Sequence, residues 1–171
     1  MITIRPLTPQ DAAQYRQLRL RMLRAHPSAF TSSFEEESAK ALDWSQRRLA
    51  PRAERPHDFF LGAFEGDELV GMVGVEGRYR LKERHNASVV GMYVAPQLTG
   101  QGIGLGLMHA LLKRARALEG LEQLDLTVTA GNDPAQGIYA RCGFTVVGTL
   151  PRAIKVDAQY YAKVQMALHL R

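Results

Sequence analysis

Apolar residues recur along this chain at two periods, and the switches between them mark out its elements. Ile2-Thr3-Ile4-Arg5 alternates at period two and predicts a first strand. Thr8-Pro9-Gln10-Asp11 predicts a helix start, with Thr8 as cap and Pro9 in the first turn. That helix runs to about Ala25, where His26-Pro27 ends it. Residues 28–33 form a loop containing Phe30, and Glu35 to Leu49 reads as a second helix carrying Leu42, Trp44 and Leu49. After a polar loop, Asp58 to Phe64 and Leu69 to Val75 read as strands joined by a turn at Gly66-Asp67. Residues 77–86 are polar and basic, and Ala87 to Ala95 is a further strand.

The second half changes rhythm. Ile103, Leu107, Leu111, Ala115 and Leu118 fall on one helical face, with Met108 and Leu112 beside them, within a helix from Gly102 to Glu119. Leu121 to Thr129 alternates as a strand. Pro134 to Cys142 reads as a short helix, with Asp133 as its cap and Gly143 as its terminator. Phe144 to Ile154 and Gln159 to Leu168 make a closing hairpin. Strands that first pair as hairpins and then alternate with helices predict an α/β fold, a mixed sheet with helices on both faces. No repeat, low-complexity tract or linker interrupts residues 1–171, which read as a single domain.

Composition narrows the class. Hydrophobic residues make up 46% and charged residues 23%, ordinary for a globular domain. No apolar run is long enough to span a bilayer, so no membrane partner is expected. The segment Met1 to Pro6 lacks the basic-then-apolar layout of a secretion signal, and Cys142 is the single cysteine, so a reducing cytoplasm is expected. The net charge of +5 mildly favours polyanions. Arg16, Arg19, Arg21 and Arg24 form one basic cluster and Lys113, Arg114 and Arg116 another. Each reads as a solvated helix face, without the interleaved aromatics that stack bases, so no nucleic acid is expected. The five histidines show no ligand spacing, so no metal is expected.

One stretch stands out from this ordinary background. Val89 to Ala95 stops at Pro96, and glycines then occupy positions 100, 102, 104 and 106 as the long helix opens. Each glycine inside a helix costs about 1 kcal/mol relative to alanine. Packing explains one such glycine and three poorly, which favours an anion cradle built from backbone N–H groups and the helix N-terminus. The dinucleotide fingerprint needs glycine five positions after the first, but Leu105 and Leu107 stand there in the two possible registers. No Gly-Lys-Ser/Thr follows, which removes the Walker loop.

Thr99-Gly100-Gln101-Gly102-Ile103-Gly104, following Val94-Ala95-Pro96, resembles the pyrophosphate loop of the GNAT superfamily of N-acetyltransferases. Thr99 stands where that loop usually has Gln or Arg. Downstream, Asn132-Asp133-Pro134-Ala135-Gln136-Gly137-Ile138-Tyr139-Ala140-Arg141-Cys142-Gly143-Phe144 resembles the superfamily's Asn-x-x-Ala-x-x-x-Tyr-x-x-x-Gly-Phe segment. The two blocks occur in the right order, one helix and one strand apart. The resemblance implies a single-domain GNAT fold, a bent, mostly antiparallel sheet of about seven strands with one central parallel pair. It implies acetyl-CoA as co-substrate, no metal, and an amine acceptor on a small molecule or a protein. Homodimers are common among such proteins, and a homodimer is an open expectation here.

Residue by residue, the resemblance implies that Thr99, Gly100, Gln101, Gly102, Ile103, Gly104 and Leu105 cradle the pyrophosphate. Backbone groups of Met92, Tyr93 and Val94 would pair with the pantetheine arm, and Gly91 would mark the bulge that opens the gap for it. Asn132, Ala135 and Tyr139 would complete the coenzyme site, with Tyr139 protonating the leaving thiolate. Many relatives carry a glutamate early in the fourth strand; Ala87-Ser88-Val89-Val90 has no acid there. Glu76, Glu83 and His85 are the candidates left for the general base. Phe30, Ser33 and Phe34 in the first interhelical stretch, and Arg152 and Tyr160 in the closing hairpin, are candidates for the acceptor site. Cys142 has no base beside it in sequence and reads as a small buried hydrophobe, not a nucleophile. These features favour an N-acetyltransferase working by direct transfer in a ternary complex. An acyl-CoA-binding or sensing module with little activity is the alternative, motivated by the missing strand glutamate.

Overall fold

The computed structural model describes residues 1–171. Seven strands form one sheet in the order β1-β2-β3-β4-β5-β7-β6. They are β1 (Ile2–Pro6), β2 (Phe59–Glu65), β3 (Glu68–Gly77), β4 (Asn86–Val94), β5 (Gln123–Thr129), β6 (Thr145–Val156) and β7 (Gln159–His169). Every pairing is antiparallel except β4 with β5. The helices are α1 (Ala12–Ala25), α2 (Phe34–Ser38), α3 (Leu42–Leu49), α4 (Ile103–Ala117) and α5 (Asp133–Arg141). No helix is long and apolar enough to cross a membrane.

Two apolar clusters cover the two faces of the sheet. One is built on α4, whose residues Leu107, Met108, Leu111 and Ala115 are fully buried against β2, β3, β4 and β5. It also takes in Tyr139 of α5 and Val164 and Met166 of β7, so it spans both halves of the sheet. The other cluster, with Tyr15, Leu18 and Met22 of α1 and Leu49 of α3, covers only the β2–β4 half. The expected helices on both faces are present, with different reach.

The stretch from Glu35 to Leu49 is two helices rather than one. Ser33 caps α2: its Oγ accepts from Glu36 N at 3.1 Å, while the Glu36 carboxylate accepts from Ser33 N at 3.1 Å. The chain then turns extended at Ala41 before α3. Arg16 donates to the carbonyls of Ser38 at 3.1 Å and Lys40 at 3.2 Å, groups that the break leaves open. The basic cluster on α1 is therefore a solvated face only in part: Arg21 and Arg24 are exposed, whereas Arg16 and Arg19 are drawn inward. Arg16 holds this break, Arg19 is buried in an ion pair with Glu37, and the Arg24 guanidinium lies 4.1 Å from the Phe34 ring centroid. In the second cluster, Arg114 covers Phe59 at 4.8 Å.

The start of α1 is fastened electrostatically. Pro9–Asp11 is a 3-10 turn ahead of the helix. Asp11 accepts from Thr8 N at 2.8 Å and receives two donors from Arg5, at 2.8 and 2.9 Å. The Arg5 hydrogen bond outweighs burial and holds the Asp11 carboxyl down at about 2. An unfolded aspartate titrates at about 3.9, so this contribution is fully present above that value and is lost as pH falls towards 2. Urea unfolding measured between neutral pH and pH 2 is expected to show a shallower acid loss in Asp11→Asn than in the parent chain, with lower stability of the variant at neutral pH.

Candidate functional site

The ladder between β4 and β5 has three rungs, Asn86↔Gln123, Ala87↔Leu124 and Ser88↔Asp125. From Val89 onward β4 has no strand on that side. The opposite edge of β4 is irregular at the same level. The β3–β4 register shifts between Met72 and Gly74, so that Val73 faces both Gly91 and Met92. Gly91 has φ +62°, a conformation that side-chain-bearing residues rarely adopt. The expected bulge is thus real, and it lies where the strands have parted.

The opening forms a cleft of about 400 Å³. Val89, Gly91 and Met92 line it from β4, and Thr127 and Val128 from β5. Asn132, Ala135 and Tyr139 of the α5 segment close one side. Residues 29–32, between α1 and α2, cover it, and Glu37, Lys40, Trp44, Arg48 and Glu76 form the other wall. Both apolar clusters contribute to the lining or to its support, so the opening reaches through the sheet.

Tyr139 is buried, and its ring meets Phe144 edge-on with centroids 6.1 Å apart. Burial, helped by the nearby Cys142, pushes its hydroxyl up to about 12. Cys142 itself is outside the lining, and burial pushes its thiol up. The cap of α5 is Asn132, not Asp133: Asn132 Oδ1 accepts from Ala135 N at 3.3 Å. Asparagine wins because it directly precedes the helix and its acceptor faces the third amide, whereas Asp133 already lies inside the first turn.

Of the acids singled out in sequence, Glu76 lines the cleft and pairs with Arg48. Burial pulls Arg48 down, but Tyr15 and Glu76 outweigh it and hold the guanidinium above its ordinary value. Glu83 and His85 lie in the exposed turn between β3 and β4, away from the lining. Phe30 lines the cleft; Ser33 is used as the α2 cap, and Phe34 packs under Arg24. Tyr160 is exposed at the hairpin end with the Arg152 guanidinium 3.9 Å above its ring, and neither reaches the cleft.

The glycine turn lies beyond the cleft, at the end of β4. Gly102 caps α4 with φ +79°, and neither it nor Gly100 has any atom within 4 Å of where a Cβ would stand. The first amides of α4 have no carbonyl partner within the helix. Gly104 and Gly106 have another cause. A Cβ on Gly104 would stand 2.9 Å from Met92 Cε, and one on Gly106 would stand 3.2 Å from Ile4 Cδ1. Packing therefore accounts for two of these glycines and backbone conformation for Gly102. Thr99 turns its hydroxyl onto Pro96 O at 2.9 Å. Tyr93 is backed into the second cluster with its hydroxyl buried and unpartnered, so only its main chain borders the gap.

Sequence reasoning missed three charged residues. Glu37, buried on α2, lines the cleft with Arg19 and Lys40 on either side. Burial pushes its carboxyl up, but these two cations prevail and hold it below the usual range. Lys163 enters the cleft from β7. Asp125 supplies, from β5, a carboxylate beside the acid-free start of β4. It accepts from Ser88 Oγ at 2.6 Å and pairs with Arg78. The one sequence signal for Asp125 was an acid flanked by Leu124 and Leu126 in an otherwise apolar strand.

Residues 19–144 match the acetyltransferase (GNAT) family. The chain belongs to that family. It is 25% identical over 151 residues to the L-amino acid N-acetyltransferase AaaT of Escherichia coli, covering 85% of this chain and 90% of that protein. It is 29% identical over 141 residues to the L-methionine sulfoximine/L-methionine sulfone acetyltransferase of Pseudomonas aeruginosa, covering 82% and 81%. Its fold matches yncA of Salmonella typhimurium, solved with its cofactor acetyl-CoA, with a TM-score of 0.81 at 20% identity, over 100% of this chain and 95% of that one. The chain is thus a GNAT acyltransferase, and the seven-stranded sheet is the fold that its sequence resemblance implied.

Proposed function

We propose that this acetyltransferase moves an acetyl group from acetyl-CoA to a primary amine by direct attack in a ternary complex. The observation that carries the reading is the gap between β4 and β5, open through the sheet and walled by Tyr139. The free edge of β4 at Met92, Tyr93 and Val94 suits an extended amide-bearing arm, which would complete the interrupted ladder. The turn from Thr99 to Leu105 suits a pyrophosphate: Gly100 and Gly102 leave open space in front of first-turn amides. Acetyl-CoA, when bound there, supplies the acyl group already activated as a thioester.

The remaining work falls to the chain. An aliphatic ammonium loses its proton at about 10.4, so it needs a proton acceptor before it can attack at neutral pH. Glu76 is the carboxylate of the cleft nearest in sequence to the acid-free start of β4; its residue pairs with Ser88 across the ladder and its side chain is held by Arg48. It takes the amine proton directly or through water. Amide N–H groups of β4 polarise the thioester carbonyl. As the C–N bond forms and the C–S bond breaks, Tyr139 gives its proton to the departing sulfur. At about 12 its hydroxyl is fully protonated at neutral pH, and it makes no hydrogen bond within the chain that would compete. The named activities of the two relatives, on L-amino acids and on methionine sulfoximine or sulfone, favour a small amine as acceptor.

Release of free thiol from acetyl-CoA with a panel of primary amines tests this directly. Tight acetyl-CoA binding with no thiol release from any amine would instead favour a sensing module. Tyr139→Phe is expected to lower kcat by about a hundredfold or more while leaving acetyl-CoA affinity nearly intact. Unchanged kcat would remove the general-acid role. Gly102→Val puts a branched side chain into a left-handed conformation in front of the turn. It is expected to abolish acetyl-CoA binding measured by calorimetry, with folding checked by circular dichroism.

A further inference from the structure

Six charged side chains line the cleft: Arg19, Glu37, Lys40, Arg48, Glu76 and Lys163. Glu37 is shared by Arg19 and Lys40, and Glu76 is held by Arg48. Lys163 alone has no carboxylate partner. It lies on β7 opposite Thr129, one residue before Val164 of the α4-side cluster, so it points to the opposite face. Its ammonium donates to Thr31 Oγ1 in the segment between α1 and α2. Thr129 Oγ1 fastens the same segment by donating to Ser28 O at 2.6 Å. An ammonium has three donors, and Thr31 takes one. The other two have no acceptor in the chain.

A half-buried cation with no counter-charge in the chain is open to an anionic ligand, with which it makes a charge-assisted hydrogen bond. Burial pulls the Lys163 ammonium below its ordinary value, the direction that an incoming anion would reverse. The coenzyme's pyrophosphate is not that anion, since the glycine turn opens onto α4 on the other face of the sheet. We propose that Lys163 seats a carboxylate of the acceptor, so that the substrate is a small amine carrying its own carboxylate, in the manner of an α-amino acid. This rests on the acetyl-transfer reading above. The cleft is about 400 Å³ in all, and the coenzyme arm takes the part between β4 and β5, so the room left for the acceptor is small. Covered by residues 29–32, it suits such a molecule better than a protein surface.

The test compares L-amino acids with their amides and with the corresponding decarboxylated amines, in the parent chain, Lys163→Met and Lys163→Arg. The quantity read is the ratio of kcat/KM for the carboxylated amine to that for its neutral analogues. The parent is expected to favour the carboxylated amine at least tenfold. Lys163→Met is expected to erase that ratio through KM, and Lys163→Arg to restore most of it. An equal loss for charged and neutral amines, or a parent that prefers neutral amines, would overturn the assignment and make Lys163 a general contributor to turnover. Thiol release from no amine at all would instead count against the transfer reading. A binding experiment then still decides: titration of the coenzyme-A-loaded chain with N-acetyl amino acids and with their amides. Carboxylate-dependent binding that Lys163→Met removes supports the seat, and equal binding of both overturns it.

Discussion

The rest of the structure depends on β4 and β5 separating after three rungs of parallel pairing. Strand edges in mid-sheet normally satisfy their amides and carbonyls on both sides. Here β4 is paired with β3 along its length, around the Gly91 bulge, and left open towards β5 from Val89 onward. A gap of this kind would close or fray if nothing held its sides apart. The cluster around α4 prevents both, because it is continuous beneath the two halves, from Phe59 and Val75 through Leu126 to Val164 and Met166. The cluster on the opposite face stops at β4. One face is thus a common foundation, and the other is divided, with the cleft at the division.

Charge fixes the divided face where apolar packing does not. Two ion-paired groups do this: Arg19–Glu37–Lys40 holds α1 to α2, and Arg48–Glu76 holds α3 to β3, with Arg48 also donating to the Tyr15 hydroxyl of α1 at 3.0 Å. Buried pairs of this type add little net stability, because desolvation offsets their attraction, but they fix geometry. Acids are available at the opening from β3 and from α2, and a further one, Asp125, stands at its apex beside Ser88.

The proposed donor side was legible in the sequence because it is local. Pro96, the glycine turn and the apolar face of α4 are contiguous, and backbone conformation alone specifies Gly102. The burial of Ile103, Leu107, Leu111 and Ala115 follows from their period. Two local rules misled. Glu35 to Leu49 has no proline or glycine to mark its break, which depends on Arg16 from another helix. The arginines of α1 carry the composition of a solvated face, but Arg16, Arg19 and Arg24 have partners that no period reveals.

The proposed acceptor side was illegible for the complementary reason. Its residues come from α1, α2, α3, β3 and β7, and the contacts that assemble them join distant positions. Arg19 reaches Glu37 across 18 residues, Thr129 reaches Ser28 across 101, and Lys163 reaches Thr31 across 132. No window of sequence contains such a constellation, and a lysine alternating with apolar residues on β7 reads as an ordinary outward position. The same arrangement explains how a family keeps one donor while its acceptors vary. The proposed donor site lies along one turn and one strand edge, where backbone conformation does the work. The acceptor site is written into side chains that converge on a fixed gap, where a single exchange at a position such as 163 alters the charge presented to the incoming amine and leaves the sheet intact.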